Sequence, residues 1–282
     1  MKIYIDGNYY SKEQAKISVF DHGLLYGDGI FEGIRIYNKH VFKLKEHLLR
    51  LYKSAKAINL NIPLTIEEME KTVNEVVRIN KKEDGYIRLI ITRGRGDLGI
   101  DPGKCLAPSV IIIASDIELY PKEYYTNGIK IITSSLRRLP ADGLDPRIKS
   151  LNYLNNILAK IEAKNSGCLE AVMLNKQGFV TECTGDNIFI IKDQEIITPQ
   201  LCEGILDGIT RQTIFEFGKQ LGMLVRQSRL SQYDLYNADE CFLTGSGAEI
   251  IPVVEIDGRK VGNGKPGNWT KTLIKIFNEK KY

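Results

Sequence analysis

A lysine can hold a carbonyl as a Schiff base once desolvation or a neighbouring positive charge strips the proton from its amine. Lys149 is placed for such work. Pro146 stands shortly before it and bars a helix from running through. Apolar residues then recur at Leu151, Leu154, Leu158 and Ile161, and Gly167 follows. This spacing predicts a helix with one apolar face, closed by the glycine, and Lys149 on a turn or strand end just ahead of it. A lone lysine is more often a solvated surface charge, so the weight falls on what else the chain offers.

A pyridoxal-type cofactor asks for three further groups: an acid opposite the pyridine nitrogen, anion donors, and a polar group near the phenolic oxygen. Glu182, at the end of a predicted strand, is the candidate acid; alone it reads as a surface charge. Leu206-Asp207-Gly208-Ile209-Thr210-Arg211 runs into a predicted helix whose first N–H groups suit an anion. Thr244-Gly245-Ser246-Gly247-Ala248 is a second turn of glycines and hydroxyls. Each alone also reads as an ordinary cap or turn. Arg50 can add a charged donor. Tyr153, four residues after Lys149, is expected to project from the same helix face toward the phenolic oxygen.

The elements that must position these groups are legible as alternating strands and helices. Asp6-Gly7-Asn8 predicts a tight hairpin. Asp21 to Arg35 carries four glycines and reads as an edge strand with glycine bulges. Leu44, Leu48, Leu51, Ala55 and Ile58 predict a helix carrying His47 and Arg50, and Thr65 with Glu68 forms a capping box for the next. Tyr86–Thr92 and Ser109–Ser115 read as strands around a glycine-rich loop, Arg93 to Gly103. Glu118 to Gly128 is the best linker. Two hairpins, a helix from about Ile209 to Leu221, a strand from Cys241 and a helix from Thr270 complete the chain.

With 282 residues, 43% of them hydrophobic, the chain suits two domains. A net charge of +4 with no basic block argues against nucleic acid or an anionic membrane as partner. The longest apolar run, Val110–Ala114, is far too short to span a bilayer, and no signal peptide is evident. Five scattered cysteines and three histidines show no metal spacing, so a reduced, cytoplasmic protein is expected.

The chain resembles the class IV (fold type IV) pyridoxal-phosphate aminotransferases. It carries the family's spaced pattern in order: Glu182, Thr184, Asn187, Ile188, Phe189, Ile196, Thr198, Leu206, Gly208, Ile209 and Arg211, with Lys149 matching the Schiff-base lysine. The resemblance covers essentially the whole chain. It implies pyridoxal 5'-phosphate as cofactor, with Glu182 on the pyridine nitrogen and Tyr153 on the phenolic oxygen. It further implies that Arg50, Ser246 and the Gly208-Ile209-Thr210 turn hold the phosphate and that Leu206 packs on the ring. The implied fold is α/β (α+β): a small N-terminal domain (1–117), an interdomain loop (118–128) and a larger C-terminal cofactor-binding domain (129–282). The family's site lies between the domains of a homodimer whose partner closes part of the pocket.

Within the family, Tyr26-Gly27-Asp28-Gly29-Ile30-Phe31-Glu32-Gly33-Ile34-Arg35 and Tyr86-Ile87-Arg88 look most like branched-chain amino acid aminotransferases. Leu89 departs from the proline many of these carry, which bears on loop shape. The likeness implies transfer between L-leucine, L-isoleucine or L-valine and 2-oxoglutarate. Tyr26, Phe31, Gly33, Arg35, Tyr86, Arg88, Leu98, Gly247 and Ala248 make up the implied substrate set. Either Arg88 or Arg35 would meet the distal carboxylate of glutamate. D-amino acid aminotransferases grip their substrate with an Arg-x-His pair, and Arg95-Gly96-Asp97 has no histidine. An aminodeoxychorismate lyase, or a silent scaffold that had lost Lys149 or Glu182, fits less well.

Overall fold

Asp6 and Gly7 both take positive φ, 48° and 88°. They make the turn of the expected hairpin, with two residues rather than three, since Asn8 already belongs to β2 (Asn8–Ser11), which pairs with β1 (Lys2–Ile5). The computed structural model describes residues 1–282, and the chain divides into two units. The first holds Met1–Ile117 with Ile148–Asn152 and Tyr282; the second holds Glu118–Arg147 and Tyr153–Lys281.

In the first unit the remaining elements are α1 (His22–Tyr26), β3 (Gly29–Tyr37), β4 (His40–Val41), α2 (Leu44–Ala57), α3 (Ile66–Ile79), β5 (Gly85–Thr92) and β6 (Ser109–Ser115). The strands form one antiparallel sheet in the order β2-β1-β6-β5-β3-β4. Alternation along β3 and β5 sends Ile30, Ile34, Ile36, Ile87, Leu89 and Ile91 into a core with Leu48 and Leu51 of α2 and Met69 and Val73 of α3. The capping box of Thr65 and Glu68 starts α3 as expected. The opposite set, Phe31, Gly33 and Arg35 against Ile90, Arg88 and Tyr86, shares the other face in cross-strand register. The glycine stretch differs from the edge strand expected of it. Asp21 caps a short helix, Gly27 closes it in the left-handed region, and β3 then runs inside the sheet beside β5.

The second unit comprises α4 (Lys122–Asn127), β7 (Ile129–Arg137), α5 (Leu154–Asn165), β8 (Glu170–Leu174), β9 (Val180–Cys183), β10 (Asn187–Lys192), β11 (Glu195–Thr198), α6 (Ile209–Leu221), β12 (Val225–Gln227), α7 (Gln232–Tyr236), β13 (Glu240–Gly245), β14 (Glu249–Ile256), β15 (Arg259–Lys260) and α8 (Asn268–Lys280). Eight strands run β12-β11-β10-β13-β14-β7-β8-β9, and β15 joins beside β14. The pairs β11–β12, β14–β7 and β7–β8 are parallel. The segment expected as a plain loop contains α4.

Helix α5 corrects two expectations. Its buried residues are Asn156, Ala159 and Ala163, whereas Leu154, Ile157, Leu158 and Ile161 are exposed at 67%, 52%, 43% and 49%. Small alanines let the helix lie close to β7 and β8, and Asn156 is spent on hydrogen bonds, so the apolar stripe faces away. Tyr153 is the N-cap residue of α5, and Lys149 precedes the helix. The two therefore do not share a helix face. No helix is long and apolar enough to cross a membrane.

Candidate active site

Lys149 owes its place to backbone pairing. Ser150 bridges Ile30 in antiparallel fashion, the Phe31 amide donates to the Lys149 carbonyl at 2.9 Å, and the Leu151 amide donates to Gly29 at 2.9 Å. The Lys149 amide donates in turn to Ser54 Oγ of α2 at 3.2 Å. The start of β3 and one helix thus clamp both sides of a half-buried residue. Its Nζ lies 4.6 Å from the Phe31 ring centroid, and the Arg88 guanidinium lies 4.4 Å from the same centroid. Gly33 is required here, since a Cβ would stand 1.7 Å from the Tyr86 hydroxyl. Arg88 Nη2 reaches that hydroxyl only at the outer limit, 3.5 Å, and it meets no carboxylate. Lys149, Phe31, Gly33, Tyr86 and Arg88 therefore form one group. Arg35, farther along the strand, stacks over Tyr37 at 5.2 Å. Tyr26 and Leu98 belong to α1 and the glycine loop, where the Gly99 amide donates to the Tyr26 hydroxyl at 2.8 Å.

Arg50 is engaged on the opposite face of β3. Its Nε and Nη2 donate to Glu32 at 2.8 and 2.7 Å, and His47 Nδ1 lies 2.8 Å from Glu32 Oε2. Burial alone would raise the Glu32 pKa. The charge and hydrogen bonds of Arg50, then those of His47, overcome that and hold it well below the usual carboxylate range. Burial holds the His47 imidazole below its ordinary value despite Glu32.

In the second unit Glu182 accepts from Arg138 Nη2 at 2.8 Å, from Asn187 Nδ2 at 3.0 Å and from the Leu206 amide at 3.0 Å. Asn156 accepts from Arg138 at 2.7 Å and donates to the Thr184 carbonyl at 2.7 Å. Gly208 caps α6 without a side-chain bond, so the helix start keeps its N–H groups uncapped by the chain's own side chains. A Cβ on Gly208 would meet Asn187 Oδ1 at 2.1 Å. Thr210 and Ala248 are buried, and Leu206, Ile209, Ser246 and Gly247 are half-buried. Thr244 Oγ1 is buried with no partner. Arg211 is fully buried and bonds Asp207, Pro199 and Gln227, which marks it as a strut for α6.

The sequence model of class IV aminotransferases matches residues 29–256. The chain belongs to that family. It is 52% identical over 279 residues to a Methanocaldococcus jannaschii protein provisionally named a branched-chain-amino-acid aminotransferase, covering 99% of this chain and 96% of that one. It is 35% identical to the D-alanine aminotransferase of Bacillus licheniformis, over 97% and 94% of the two chains. Among solved structures, the Escherichia coli branched-chain amino acid aminotransferase superposes with a TM-score of 0.97, at 36% identity over 99% and 94% of the two chains.

Pyridoxal phosphate is the cofactor of this class IV aminotransferase, and the residues present fit it. A helix start with an uncapped turn and an unpartnered buried hydroxyl suit a phosphate. A buried carboxylate held by three donors suits a protonated ring nitrogen. Sequence reasoning gave no role to Glu32, His47, Arg138 or Asn156. Glu32 left a signal: it is the one charge on the face of β3 that otherwise presents Ile30, Ile34 and Ile36 to the core. His47 and Arg50, three apart on α2, were already visible as neighbours on one helix face.

Proposed function

We propose that this aminotransferase moves the amino group of L-leucine, L-isoleucine or L-valine to 2-oxoglutarate. Arg88 carries the reading. It is a half-buried guanidinium with no carboxylate of its own, lying over Phe31 and Tyr86. A branched side chain can pack on those rings, and the distal carboxylate of glutamate can pair with the cation. One pocket then serves both half-reactions.

The bound cofactor supplies a carbonyl for the amine and a ring that withdraws electrons from the substrate Cα. The chain supplies the rest. Lys149 would hold the cofactor, and its Nζ, as a free amine, would move the proton of the substrate Cα. Glu182 favours a proton on the ring nitrogen, and Tyr153 serves the phenolic oxygen. Arg50, Gly208, Ile209, Thr210 and Ser246 hold the phosphate, and Leu206 packs on the ring. Gly247 and Ala248 join Tyr26, Gly33, Arg35, Tyr86 and Leu98 in the substrate pocket.

The reading includes a cytoplasmic homodimer. All five cysteines are free, as a reducing compartment keeps them. Exposed Leu98 and Ile100 on the glycine loop, and Leu106 just after it, suit a second copy as cover. Mixing loaded enzyme with single substrates tests the specificity. L-leucine should convert the cofactor's visible spectrum faster than D-alanine. Faster conversion by D-alanine would replace this reading with the D-amino acid one.

A further inference from the structure

Glu32 is the most deeply buried carboxylate beside any residue assigned above. It is 0% exposed and sits between Ile30 and Ile34 on the core face of β3. A surface counter-ion would neutralise Arg50 without the cost of desolvation. What the buried pair adds is a fixed plane. Taking Nε and Nη2 together sets both the tilt and the rotation of a rigid guanidinium fork, and directs its Nη1 side away from the carboxylate. His47 gives Oε2 a further donor. Because burial keeps the imidazole below its ordinary pKa, the group carries one negative and one positive charge at neutral pH.

The helix joins this arrangement to the nucleophile. His47, Arg50 and Ser54 fall three and four residues apart on α2, one face of the helix. Ser54 accepts the Lys149 amide, so the face that carries the anion donor also fixes the reactive segment. We propose that Glu32, supported by His47, is a positioning residue: by gripping one edge of the Arg50 guanidinium it presets the Nη1 side for the cofactor's phosphate monoester. The proposal rests on the assignment of Arg50 to the phosphate.

The test measures dissociation constants of pyridoxal phosphate and of pyridoxal, which lacks the phosphate, for the full chain freed of cofactor. Arg50→Ala should weaken pyridoxal phosphate by about tenfold or more and leave pyridoxal within about twofold. Glu32→Gln should do the same, and adding it to Arg50→Ala should have no further effect. If Arg50→Ala leaves pyridoxal phosphate binding unchanged, the assignment of Arg50 fails and the proposal with it. If Arg50→Ala weakens binding and Glu32→Gln does not, the proposal alone fails. Equal loss of both ligands in a folded Glu32→Gln protein makes Glu32 structural and also overturns it. Should Glu32→Gln not fold, Arg50→Lys decides. A lysine keeps the charge but cannot fill the fork, so it should lose most of the preference for the phosphorylated ligand; a preference equal to wild type contradicts the proposal.

Discussion

Two buried carboxylates, one in each unit, end in opposite states. Glu32 is held well below the usual carboxylate range because Arg50 and His47 outweigh its burial. Asp186 is 5% exposed and has no guanidinium. Burial, then the charge of Glu170, push it up to about 7, and Lys160 and the Tyr120 hydroxyl offset this only in part. Depth is alike and partners differ, so the partners set the protonation state. The first unit contains a permanent ion pair. The second contains an acid whose pKa burial raises, beside Gly245, where a Cβ would meet its Oδ1 at 2.1 Å.

The strongest break is Glu32→Ala. It strands a buried guanidinium, and unfolding by denaturant should show a loss of about 3–5 kcal/mol. Asp186→Asn removes no ion pair and should be neutral or stabilising at pH 8. Equal losses in the two variants would erase the contrast.

Arg88 extends the comparison to a cation that has rings in place of a carboxylate. Arg88→Leu should raise KM for 2-oxoglutarate by about tenfold or more, the worth of a charged hydrogen bond in a partly dry pocket, with a much smaller change for L-leucine. Equal effects on both substrates would make Arg88 structural.

The two carboxylates also differ in the sign of their pH slopes. The low folded pKa of Glu32 gives stability that is present above the ordinary glutamate value, 4.5, and lost as pH falls below it. His47 must shed its proton on folding, so its share is lost as pH falls below 6.5. Asp186 works the other way: its raised pKa gives stability that is full below 3.8 and lost as pH rises through about 7. Asp186→Asn should therefore gain on wild type as pH rises from about 4 towards 7, and the gain should level off above that. A constant offset between the two curves would show that Asp186 does not titrate there.

Much of the frame was legible because periodicity and turn chemistry are local. The Asp6-Gly7 hairpin, the Thr65 capping box and the span of α6 from Ile209 to Leu221 all stand where residue types demand them. The face of α5 was not legible. Its pattern of leucines names an apolar stripe but cannot say whether this chain covers it, and Asn156 and two alanines took the inner side. The Glu32–Arg50 pair joins β3 to α2, and the Ile30–Ser150 bridge brings Lys149 beside Phe31 across more than a hundred residues. Long-range contacts of this kind leave no periodic trace. Lys149 and Glu182 could nonetheless be proposed from the sequence, since chemistry restricts residue type more tightly than packing does.

Borohydride reduction of the loaded enzyme, followed by peptide mapping, reads out the resting attachment of the cofactor itself. The reagent fixes the cofactor permanently to the amine that holds it. The added mass should fall on Lys149, and it should be absent from an otherwise folded Lys149→Ala protein that still binds cofactor. Mapping of the cofactor to any other lysine would contradict the assignment of the site.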